Sequence, residues 1–116
     1  MQGVTTMSDG QVAEVLVNEI PEGAYLLDVR EPAEWSAGHA PDAVHIPLGT
    51  LGERAAEVPQ DRKVYVVCRS GGRSAQATMA LGQAGWDAVN VAGGMRAWEA
   101  AGFDMKADSD AEPTVL

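Results

Sequence analysis

The sequence predicts an α/β fold in which a parallel sheet is flanked by helices. Short apolar runs alternate with helix-patterned segments along the chain, which is the signature of a parallel sheet with crossover helices. Two of those runs, Tyr25 to Val29 and Lys63 to Val67, are continuous rather than alternating, as in strands buried on both faces. A chain of 116 residues is long enough for one domain with a real core.

The elements read as follows. Val4 to Thr6 suits a short edge strand. Ser8 and Gln11 have capping-box spacing, and a helix through about Ile20 would put Val12, Val15, Leu16 and Ile20 on one face. Pro21-Glu22-Gly23 is a turn before the strand Tyr25 to Val29. Pro32 opens a short helix and Gly38 stops it. Ala43 to Ile46 is a short strand, and Leu51 to Val58 is a helix ended by Pro59. Lys63 to Val67, with three valines and a tyrosine, is a strand. An alanine-rich helix, Ser74 to Ala84, ends at Gly85. Gly82 inside it costs about 1 kcal/mol relative to alanine, which suggests close packing there. Ala88 to Val91 is a strand, and Gly93-Gly94 turns into a last helix, Met95 to Ala101. Residues 1–103 thus read as one domain. The acidic stretch 104–116, with Asp104, Asp108, Asp110 and Glu112 against Lys106, reads as a disordered tail.

Composition narrows the function. The net charge of −9 disfavours binding to nucleic acid or an anionic membrane surface, because their phosphates would repel the protein. No stretch has the length of a membrane span, and no basic-then-apolar leader is visible, so the expected location is cytoplasmic. The single cysteine, Cys68, excludes an intrachain disulfide, and one cysteine with two separated histidines, His39 and His45, argues against a zinc site.

The stretch from Val64 to Ser74 carries the chemistry. A buried strand ends, Cys68 follows at once, and a glycine-rich turn leads into a helix. Ligands of open α/β sheets bind beyond the carboxyl ends of the strands, where Cys68 lies. Gly71 and Gly72 accept φ > 0, so the turn can aim successive N–H groups at one point. The following helix adds its N-terminal positive charge, and Arg69 and Arg73 add two more. All of these favour a thiolate over a thiol. Lowering a cysteine pKa by about two units takes roughly 2.7 kcal/mol, within reach of a few charge-assisted hydrogen bonds. A purely structural cysteine would not need two of the chain's six arginines within five residues of it. Ser74 is either a helix cap or an anion contact.

Cys68-Arg69-Ser70-Gly71-Gly72-Arg73-Ser74 resembles the active-site loop of the rhodanese superfamily. Leu27-Asp28-Val29-Arg30-Glu31-Pro32, with Glu34, Gly38-His39-Ala40-Pro41 and Ile46-Pro47-Leu48, resembles that family's first signature. Val91-Ala92-Gly93-Gly94-Met95 with Trp98 resembles its last. The similarity spans Val4 to Phe103, with the motifs in the family's order. Asp42, where glycine is usual, and Val67, where an aromatic residue or histidine is common, depart from the pattern and bear on substrate preference.

The resemblance implies a five-stranded, mostly parallel sheet with helices on both faces. It implies that Cys68 takes sulfane sulfur from a donor such as thiosulfate, holds it as a persulfide, and passes it to cyanide, a thiol or a protein acceptor. Arg69, Ser70, Gly71, Gly72, Arg73 and Ser74 would bind the substrate, with no metal or organic cofactor. His39 reads as a structural hydrogen-bonding group, Asp28 and Arg30 as supports of the active edge, and Trp35, Trp86 and Trp98 as core anchors.

Three other readings compete. A phosphatase or arsenate reductase also uses a cysteine in an anion-binding loop, but four residues separate Cys68 from Arg73, whereas related phosphatase loops carry five and form a wider ring. A non-catalytic interaction module would have no need of the cysteine. A sulfur carrier would need a Gly-Gly end, and this chain ends Thr114-Val115-Leu116.

Overall fold

The computed structural model describes residues 6–8 and 12–116. Six strands form one sheet in the order β1-β2-β6-β5-β3-β4. They are β1 (Thr6–Ser8), β2 (Val12–Val15), β3 (Tyr25–Asp28), β4 (Val44–His45), β5 (Val64–Val67) and β6 (Ala88–Val91). Strands β2 to β6 pair in parallel, and β1 adds an antiparallel edge, so the five expected parallel strands become part of a six-stranded sheet. The helices are α1 (Pro32–Ala37), α2 (Leu48–Arg54), α3 (Gly72–Gln83) and α4 (Gly94–Ala100). Among the described residues no helix is long and apolar enough to cross a membrane.

Strand β5 shows why the run of valines forms at the centre. Successive side chains of a strand point to opposite faces. Val64 and Val66 join Leu27, Ile46, Leu51, Ala77 and Leu81 in one core, while Tyr65 and Val67 join Leu26, Val89, Val91 and Met95 in the other. Both faces are covered, so every residue of the strand is buried.

The expected helix from Ser8 to Ile20 is not formed. Gln11 lies outside the described residues, Val12–Val15 is a strand, and only Val17–Glu19 turns as a short 3-10 helix. The spacing of Val12 and Val15 explains the difference. Three residues apart, they would share a helix face, but in a strand they point oppositely. Val15 packs into the second core, and Val12 lines a shallow groove with Thr78 and Gly82 of α3. The edge strand falls at Thr6–Ser8, and Val4 and Thr5 lie outside the described residues. The weak second helix starts earlier than expected, at Leu48. Gly82 is not closely packed, since a Cβ there would meet nothing within 4 Å, and nothing in the structure explains the glycine.

Residues 104–116, expected to be disordered, carry no helix or multi-residue strand but lie against the domain. His39 and Lys106 exchange backbone hydrogen bonds, Asp108 N–H donates to the Ser36 carbonyl, and Thr114 N–H donates to the Ala37 carbonyl. Met105 and Val115 pack on the second core. Two apolar side chains spaced ten residues apart are too sparse for a sequence pattern, yet each finds a place on α4's side of the sheet.

Candidate active site

Cys68 follows β5 directly and is 1% exposed. The next residues turn so that their carbonyls and amides face opposite ways. The Cys68 carbonyl accepts from Met95 N–H at 2.8 Å, and the Arg69 carbonyl accepts from Arg96 N–H at 3.0 Å. Both donors belong to the first turn of α4, whose unpaired N–H groups need such acceptors. The approach is close because residue 94 is glycine: a Cβ there would lie 2.4 Å from the Cys68 oxygen. With the carbonyls held by α4, the amides can turn toward the sulfur. Gly71 N–H donates to Cys68 Sγ at 3.1 Å. Gly71 has φ of 120°, a conformation that demands glycine, whereas Gly72 already belongs to α3 with an ordinary φ.

Ser74 lies in the first turn of α3, fully buried, and makes no capping bond. Its Oγ is 3.3 Å from Cys68 Sγ and 2.5 Å from Asn90 Oδ1. Burial pushes the Cys68 thiol up, but hydrogen bonds from the Ser74 hydroxyl and from the N–H groups of Ser74, Gly71 and Ser70 outweigh it, so the pKa lies below its ordinary value. The larger contributions come from these short-range donors rather than from the two arginine charges.

The arginines differ. Arg73 donates to both carboxylate oxygens of Glu34 on α1, at 2.7 and 2.9 Å. Those bonds hold Glu34 down to about 2 despite its partial burial. Arg69 instead donates Nε–H to the Leu116 oxygen at 2.6 Å, on the exposed side of the loop. Ser70 and Gly72 are exposed.

Asp28 and Arg30 form a fully buried pair at the end of β3, beside the strand that delivers Cys68. Arg30 Nη2 donates to Asp28 Oδ2 and to the Gly38 carbonyl, both at 2.8 Å. The pair thus ties β3 to the end of α1. His39 pairs its Nδ1 with the Trp35 carbonyl at 2.7 Å and stacks on the Trp35 ring at 3.6 Å. His45 stacks on the same ring, so Trp35 organises two histidines instead of anchoring either core. Trp86 and Trp98 pack against the first and second cores. In the sequence Glu34 stands only as part of a signature, and Asn90 gives no signal, because an asparagine in a strand has no pattern that marks it. A cavity of roughly 600 Å³ beside Trp98 and Phe103 includes no residue of the loop 68–74.

A family model described as a rhodanese-like domain matches residues 12–101. A protein of Allochromatium vinosum named sulfurtransferase is 42% identical over 87 residues, covering 74% of this chain and 81% of its own length. YtwF of Bacillus subtilis, named as a candidate sulfurtransferase, is 43% identical over 81 residues, covering 70% of this chain and 79% of its own. The crystal structure of a rhodanese-like domain protein from Staphylococcus aureus superposes with a TM-score of 0.75 at 31% identity, covering 83% of this chain and 98% of that one.

Proposed function

The chain belongs to the rhodanese-like domain family, and we infer that it is a rhodanese-type sulfurtransferase whose sulfur is carried on Cys68. One observation carries this reading: a buried sulfur at the carboxyl end of the central strand meets N–H and hydroxyl donors from the loop and the first turn of α3. Such a ring stabilises an anion on sulfur without committing it to proton transfer.

The step we propose is a double displacement. The Cys68 thiolate attacks the outer sulfur of thiosulfate, a new S–S bond forms to Sγ, and the donor's own S–S bond breaks. Sulfite leaves with the bonding electron pair. The outer persulfide sulfur then accepts the loop N–H groups. In the second half, the acceptor attacks that outer sulfur, and the thiolate departs and is regenerated. Cyanide would leave as thiocyanate, and a thiol or a protein thiol would leave as its own persulfide. With one cysteine in the chain, that acceptor is external.

The ring is sized for one added atom. A phosphoryl group brings three peripheral oxygens and needs a wider loop than the four residues between Cys68 and Arg73. Thiosulfate should therefore add the mass of one sulfur atom, removable by cyanide, and Cys68→Ser should take up none. Aryl phosphates should not be turned over. Wild-type protein that stays unmodified by several sulfane donors, or that hydrolyses phosphates, would overturn this reading.

A further inference from the structure

Asn90 lies in the middle of the sheet, 1% exposed, between Glu14 and the first turn of α3. On one side its neighbours are the Glu14 carboxylate at 2.9 Å and the Gly71 carbonyl at 3.3 Å. Both are acceptors only, so the amide nitrogen must face them. The amide oxygen is then left facing Ser74, and it can only accept. Ser74 has one hydroxyl proton and two claimants for it: Asn90 Oδ1 at 2.5 Å and Cys68 Sγ at 3.3 Å.

We propose that Asn90 is a positioning residue that holds the Ser74 proton away from the Cys68 sulfur while Cys68 is a thiol and competes for that proton once the thiolate forms, and so sets how strongly the thiolate is stabilised. With Cys68 as a thiol, the chain of bonds is complete in one direction: S–H to Ser74 Oγ, Ser74 O–H to Asn90 Oδ1, and Asn90 N–H to Glu14. Deprotonation breaks that order. Ser74 must then swing its proton to sulfur and leave the buried Asn90 oxygen without a donor, which has a cost. Once sulfur is loaded, Sγ becomes the neutral inner atom of the persulfide and the hydroxyl returns to Asn90. The thiolate is therefore less stabilised than Ser74 alone would make it, and it is the more nucleophilic for that. The significance for turnover rests on the sulfur-transfer reading, but the thiol's titration does not.

Among the described residues, the charged groups on the elements packed around the loop are Arg69 in the loop itself, Arg73 on α3 with Glu34 and Glu31 on α1, the Asp28–Arg30 pair at the end of β3, Glu14 on β2 and Arg96 on α4. Substituting Asn90 with a neutral side chain leaves all of their charges in place. The test is the pH profile of Cys68 alkylation by iodoacetamide, which needs no sulfur donor. Asn90→Leu removes the competing acceptor at similar volume, and Asn90→Val does so with a better strand former. In both, the alkylation midpoint should fall by about one pH unit, the cost of leaving one buried neutral acceptor without its donor. The plateau rate should fall roughly threefold, because nucleophilicity drops with pKa. Ser74→Ala should move the midpoint up, and adding Asn90→Leu to it should change nothing more. A midpoint that stays or rises in folded Asn90 variants would overturn the proposal. So would failure of both variants to fold, which would make Asn90 a structural residue only. Loss of sulfur uptake with the predicted alkylation shifts intact would count against the proposed function alone.

Discussion

Two arginine–carboxylate pairs flank the reactive loop, and they differ in what surrounds them. Asp28 and Arg30 are both 0% exposed, whereas Glu34 and Arg73 are 16% and 34% exposed. Both are bidentate with short N–H···O bonds, Arg30 side-on through Nε and Nη2 and Arg73 end-on through Nη1 and Nη2. The buried pair sits on the backbone side, where it joins the end of β3 to the Gly38 carbonyl. The outer pair joins α3 to α1 across the mouth of the loop. The same chemistry therefore serves architecture at the end of β3 in one place and, in the other, ties α3 to α1 beside the loop that carries Cys68.

The comparison is broken most easily at Asp28. Asp28→Ala leaves the Arg30 guanidinium buried without its counter-ion, and the expected loss of stability is about 3–5 kcal/mol, read from urea unfolding. A loss below 1 kcal/mol would mean that water replaces the carboxylate, and the contrast between the pairs would disappear.

The loop arginines give the next largest effect. Arg73 has its charge largely answered by Glu34, while Arg69, among the described residues, donates to a single oxygen of the tail. Arg69 is thus the cation more available to an anionic donor. Arg69→Ala should raise the thiosulfate KM about tenfold and Arg73→Ala only two- to threefold, with kcat changed less in both. Steady-state kinetics on thiosulfate checks this, and the reverse ranking would assign donor binding to Arg73.

Much of this arrangement was legible in the sequence, for reasons that can be named. Val64 to Val67 reads as a strand because both faces of it are buried, and Cys68 reads as a nucleophile from its place between that strand and a glycine turn. What was not legible depends on contacts between distant segments. Val12 and Val15 look helical until the opposite directions of their side chains are known. Arg73 looks like a free anion-binding charge until α1 brings Glu34 against it, 39 residues away in sequence. Asn90 has no local signature at all, because its role comes from what lies on either side of it in the sheet. The tail's acidic composition hides two apolar side chains that dock.

The smallest effect belongs to the outer pair itself. Glu34→Gln keeps the size and polarity of the side chain and removes its charge. Both groups are partly exposed, so the pair is worth at most about 1 kcal/mol near neutral pH. The sign of its pH dependence follows from linkage. Glu34 titrates at about 2 in the folded protein, below the value of about 4.3 expected when unfolded. A carboxylate depressed in this way contributes its full stabilisation above the unfolded value and loses it as pH falls through the folded one. The difference in urea midpoint between wild type and Glu34→Gln should therefore be constant from neutral pH down to about 5, then shrink steadily and vanish only once the pH is below about 2. Arg73 stays charged throughout, so the change belongs to Glu34. A difference that persists unchanged at pH 2 would show that the contact depends on packing rather than charge, and would make the outer pair resemble the buried one.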